Sequence, residues 1–164
     1  MFVVRLTTIA AAVTALTAVF SGASSAAAAS PTSGVELITG QSNSTASNPV
    51  IPLTASGLVA GQGSLTLGSH SGALKFNVGS LHVTKSQVLQ AQTLNRKTCA
   101  VAGVDVVDYT ITSGTGAFTG ATGNGQATIT FKFKVRKPAK GKCNFNAKPL
   151  TAHTVFWASG PIHL

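Results

Sequence analysis

Apolar positions in this chain recur mostly at every second residue. The clearest stretch is Thr128–Arg136. Ile129, Phe131, Phe133 and Val135 fall on one face, and Thr128, Thr130, Lys132, Lys134 and Arg136 on the other. That period of two predicts a strand with one buried face. Val104–Thr112 reads the same way, with Val107, Tyr109 and Ile111 sharing a face. Val50–Leu53, Gly63–Leu67, Ala73–Val78, Leu81–Thr84 and Gln87–Leu94 are shorter candidate strands, with Gly79-Ser80 as a bend or bulge between two of them. Ser86–Thr93 also admits a short helix. Leu150–Ser159 carries Phe156 and Trp157 on opposite faces, and Pro161–Leu164 adds a short pairing. About eight short strands, each with one apolar face, predict an all-β fold: a small antiparallel β-barrel or a sandwich.

The first residues break this pattern. Arg5 precedes an apolar run from Ile9 to Phe20, and Ser21–Ala29 is made of small residues. That is the layout of a cleaved secretory signal peptide over residues 1–29. The run is shorter than the roughly 20 residues a membrane span requires. Ser30–Pro49, rich in Ser, Thr, Gly and Asn, reads as a flexible leader with one short strand at Val35–Thr39. The domain is expected over 50–164. Export places Cys99 and Cys143, the only two cysteines, in an oxidising compartment, where an isolated pair forms a disulfide. Cys99 precedes the strand at Val104, and Cys143 follows the strand ending at Arg136. The two cysteines meet if those strands pair antiparallel. Matching the apolar faces sets Tyr109 opposite Phe131, Val107 opposite Phe133 and Asp108 opposite Lys132. Tyr109, Phe131 and Phe133 are then expected to be buried, with Lys132 and Lys134 exposed.

Between these strands lies Ser113–Gly125, SGTGAFTGATGNG. It lacks the Gly-Lys-Ser/Thr ending of a phosphate-binding loop, and a strand follows it where a nucleotide fold needs a helix. The glycines are read as turn and close-approach positions. Gly114–Gly125 resembles the G-T-G-x-F-x-G-A-x-G-x-G signature of allene oxide cyclase-like and dirigent-like barrel proteins. It is similar above all to secreted members of that group from actinomycete-type bacteria. The resemblance covers about Asp105 to Lys134. It implies a closed barrel plugged by Phe118. It carries no catalytic residue onto this chain, since function resides in sites and not in folds.

Composition narrows the chemistry. The chain has 12 Lys+Arg against 3 Asp+Glu, for a net charge of +9. Asp105 and Asp108 are the only close acidic pair, and their odd spacing puts them on opposite faces of a regular strand. A glycosidase pair is disfavoured. Gly68-Ser-His-Ser-Gly72 has histidine where a nucleophile elbow needs serine. It reads as an exposed hairpin turn. His70, His82, His153 and His163 lack a ligand spacing, so no metal or other cofactor is expected.

The sharpest feature is basic. Lys132, Lys134, Arg136, Lys137, Lys140 and Lys142, followed by Lys148, cluster in one short segment. The first three share a strand face, and the turn extends the stripe. Such a stripe attracts polyanions such as teichoic acid or anionic lipid headgroups. Its plainer role is to keep an edge strand soluble. Specific nucleic-acid recognition is disfavoured because Phe131 and Phe133 face away from the lysines. The sequence therefore favours a secreted, non-catalytic barrel. It would bind an anionic envelope polymer on the stripe or a small apolar ligand inside. The alternative is a cyclase- or dirigent-like enzyme that steers a reactive intermediate in an apolar cavity.

Overall fold

The computed structural model describes residues 32–138 and 141–164. The expected signal peptide and Lys140 lie outside the described residues. The structure is an eight-stranded closed antiparallel barrel in which every strand pairs with its neighbours in chain order. The strands are β1 (Ser33–Ser42), β2 (Val50–Ser56), β3 (Gly61–Leu67), β4 (Ser71–Phe76), β5 (Gly79–Asn95), β6 (Ala100–Gly116), β7 (Thr122–Lys134) and β8 (Thr151–His163). There is no helix among the described residues, so Ser86–Thr93 is strand.

Alternation builds the core. Ile51, Leu53 and Ala55 of β2, Val107 and Ile111 of β6, Ala127 and Ile129 of β7, and Phe156, Ala158 and Ile162 of β8 all point inward. Phe118, 2% exposed, follows β6 and plugs the barrel, its ring edge-on to Phe76 at 5.6 Å. The tight turn beneath it needs Gly116, which has φ +63°.

Four sequence expectations change. Ser33–Ser42, read as part of a flexible leader with one short strand at Val35–Thr39, is a full barrel strand that pairs with both β2 and β8. Its inward positions include Glu36 and Gly40 beside Ile38, so its apolar residues do not mark the core face. Val35 is 69% exposed. The bend expected at Gly79-Ser80 is instead a two-residue hairpin at Asn77-Val78, since Phe76 pairs with Gly79. Leu81–Thr84 and Gln87–Leu94 form one strand, with an irregularity between Gln87 and Leu89. Finally, β6 and β7 pair antiparallel with the predicted faces, but six residues out of register. Tyr109 faces Gly125, Val107 faces Ala127 and Asp108 faces Gln126. The strands run into the glycine segment from both sides, so its turn is much shorter than the pattern suggested.

The strands differ greatly in length. β5 and β6 have 17 residues each, and β2 to β4 have 6 or 7. The upper halves of β5, β6 and β7, with Thr151–His153 of β8, therefore rise above the barrel as a four-stranded extension. Phe131 and Phe133 lie on its inner side, half-buried and stacked at 6.4 Å. They stand above the core, not within it. The Cys99–Cys143 disulfide is present, with a Cα–Cα distance of 5.5 Å. It ties the β5–β6 turn to the connection between β7 and β8.

Candidate functional site: a basic groove on the sheet extension

Residues directly opposite across antiparallel strands share a face. On the outer face of the extension, one row runs Thr93, Ala102, Lys132, His153. The next runs Asn95, Ala100, Lys134, Thr151. Alanines at 100 and 102 leave the middle strand low, while Lys132 and Lys134 stand up from β7 about 7 Å apart along the strand. The β5–β6 turn closes one end with Arg96 and Lys97. The result is a shallow open groove of about 940 Å³ lined by Arg96, Lys97, Lys132, Lys134 and His153, with no acidic residue in its lining. His153 Nδ1 lies 2.7 Å from Asn43 Oδ1, which fixes the imidazole at the far edge.

Of the predicted anion-binding residues, Lys132 and Lys134 line this groove. Lys137 reaches its rim, where its ammonium donates to the Lys97 carbonyl at 3.0 Å. Arg136 and Lys142 are exposed in the β7–β8 connection and do not line the groove. Sequence reasoning missed Arg96, Lys97 and His153. Arg96-Lys97 is a visible basic pair, but only the β5–β6 hairpin brings it beside a segment 35 residues later, as in the step from Lys97 to Lys132.

The barrel interior holds a second polar group of residues. A row of inward positions runs Lys85, Tyr109, Gly125 across β5, β6 and β7, and Gly160 pairs with Glu36 across β8 and β1. The two glycines make room for the tyrosine. Its hydroxyl lies 2.6 Å from where a Cβ on Gly125 would sit and 2.8 Å from one on Gly160. Glu36 is 4% exposed; its Oε2 accepts from the Val59 N–H at 2.9 Å, and its buried Oε1 has no partner. Burial pushes the carboxyl above its ordinary range, against the backbone donors that hold it down. Burial, and then the Glu36 charge, push the Tyr109 phenol up. The cavity beside them, lined mainly by Ile, Leu, Val and Ala, has only about 50 Å³ of room.

Other candidates stay apart. Asp105 accepts from the Gln87 amide and Asp108 from the Gln126 amide, at 3.5 and 3.2 Å, on opposite faces of β6. No group of three potential metal ligands gathers among the described residues. No protein-family model, curated protein or solved structure matches this chain.

Proposed function

We propose that the protein is secreted and holds an anionic polymer of the cell envelope in the groove of its sheet extension, without catalysing a reaction. One observation carries this reading: Arg96, Lys97, Lys132 and Lys134, from two distant stretches of chain, converge on an open groove with no acidic residue in its lining. An open groove accommodates a chain that enters and leaves, as a polymer must. The competing small-ligand and cyclase-type readings need an interior of some 300–1,000 Å³. The interior cavity of about 50 Å³ favours the groove. The disulfide fits an oxidising compartment.

The test is binding to poly(glycerol phosphate) as a function of salt. Four phosphate contacts imply a loss of about 50-fold for a fourfold rise in salt, using single-strand counterion scaling. Lys132→Glu with Lys134→Glu should abolish binding and leave the thermal transition in place. Undiminished binding by that variant, or none by the native protein at low salt, would refute the proposal in favour of a solubilising role for the lysines.

A further inference from the structure

Beyond Thr84, β5 leaves its neighbour behind. β4 pairs with it only over Gly79–Thr84, and the Lys85 N–H makes one last bond, to the His70 carbonyl at 2.9 Å. From Ser86 to Asn95, β5 bonds to β6 on one side, and its other edge has no strand among the described residues. Every residue of that stretch is exposed, including Val88 at 55%, Leu89 at 52% and Leu94 at 44%.

Its sequence, SQVLQAQTLN, contains no charge, no proline and no glycine. Free edges are normally protected by lysine, proline or shortness. This one has none of the three within its span; its one irregularity, between Gln87 and Leu89, lies at its base and leaves Leu89–Asn95 a regular free edge. Its alternating unpaired N–H and C=O groups are complementary to another extended backbone. The charges sit only beyond its two ends: Lys85 at the base, half-buried at the mouth of the interior cavity, and Arg96 and Lys97 at the tip. A second copy paired antiparallel with Ser86 opposite Asn95 would set Lys85 against Arg96 at both ends, so like charges oppose self-pairing.

We propose that this edge takes up an extended polypeptide segment, uncharged and alternating along its middle and acidic at its ends, by strand addition. This site adjoins the groove and shares Thr93–Lys97 with it, but it takes its occupant on the backbone edge of β5 and does not need the lysines of β7.

The experiment is backbone hydrogen exchange over Ser86–Asn95 in the full, disulfide-bonded chain. The probes are a synthetic peptide of alternating Val and Thr flanked by Glu, its Lys-flanked counterpart, and the Glu-flanked peptide N-methylated at every Val and Thr, so that neither of its edges can donate. The Glu-flanked peptide should protect this stretch, with the Lys-flanked one about tenfold weaker. The N-methylated one should give no protection. The Lys132→Glu, Lys134→Glu variant should retain the effect, which separates this site from the polymer-binding reading. Equal protection by the methylated peptide, loss of protection in that variant, or no protection by any peptide would overturn the proposal. So would protection that rises with protein concentration alone, alongside a sedimenting dimer, because the occupant would then be a second copy.

Discussion

Replacing Phe118 by alanine removes the plug of the barrel. The ring is 2% exposed and packs edge-on against Phe76. Truncation empties about 100 Å³, and at about 24 cal/mol per Å³ of residual cavity this costs about 2.4 kcal/mol if nothing collapses. The lost transfer of the ring adds about 2 kcal/mol, for a total near 4 kcal/mol. Collapse is limited because the turn beneath the ring is held by backbone bonds from Ala117 to Val78 and from Ala121 to Phe118. Urea unfolding of oxidised protein, monitored by the single Trp157, measures the loss directly, and an unchanged m-value would show that the same surface unfolds. Phe145→Ala, in the β7–β8 connection, is the control and should cost under about 1 kcal/mol. A Phe118→Ala loss below about 1 kcal/mol would mean that the ring does not hold the barrel closed.

Two further outcomes follow from the covalent and ionisable groups. The disulfide closes a separation of 44 residues, worth about 4 kcal/mol in chain entropy. Paired Cys99→Ala and Cys143→Ala should lower the unfolding free energy by that order, and a loss confined to faster exchange in the extension would show that the bond secures that part alone. Glu36 has its folded-state pKa raised above 4.5 by burial. The folded state therefore holds its proton longer than the unfolded chain does, so this contribution is full below pH 4.5 and fades as pH rises through the folded value. Glu36→Gln should remove that fall, so its stability advantage over the native protein should grow from acid to neutral pH; parallel pH profiles would refute it.

Much of the barrel was legible because its strands follow the period of two wherever they face the core. Val107, Tyr109 and Ile111 point inward as read, and Phe156 and Trp157 take opposite faces. β1 was legible as a short strand at Val35–Thr39 but not as part of the barrel, for a physical reason: its inner face is a carboxylate, an isoleucine and glycine, while Val35 and Leu37 face out. The register of β6 on β7 was misread because facial matching fixes only parity, and glycine opposite tyrosine satisfies it as well as phenylalanine does. Half of the groove was visible as a lysine stripe. The other half depended on a hairpin whose length no local pattern specifies. Glu36 gave no signal, since an isolated acid in a polar stretch looks solvated until a closed sheet surrounds it.

The order of the barrel strands has a consequence for how the chain is assembled. Seven of the eight pairings join consecutive strands, and the eighth joins β1 to β8, with Ser33 opposite His163. The seven close early, each across one connection, whereas the last must bring together residues 130 positions apart, which is the slow kind of contact. Until β8 emerges, the growing chain is an open meander with two bare edges, and β1 waits unpaired on one flank. Loss of the C-terminal strand would thus release the first strand as well. The same adjacency makes Ser33 and His163 neighbours, so a short linker from His163 to Ser33 with new ends cut in the exposed Ala46–Asn48 stretch between β1 and β2 should preserve the barrel.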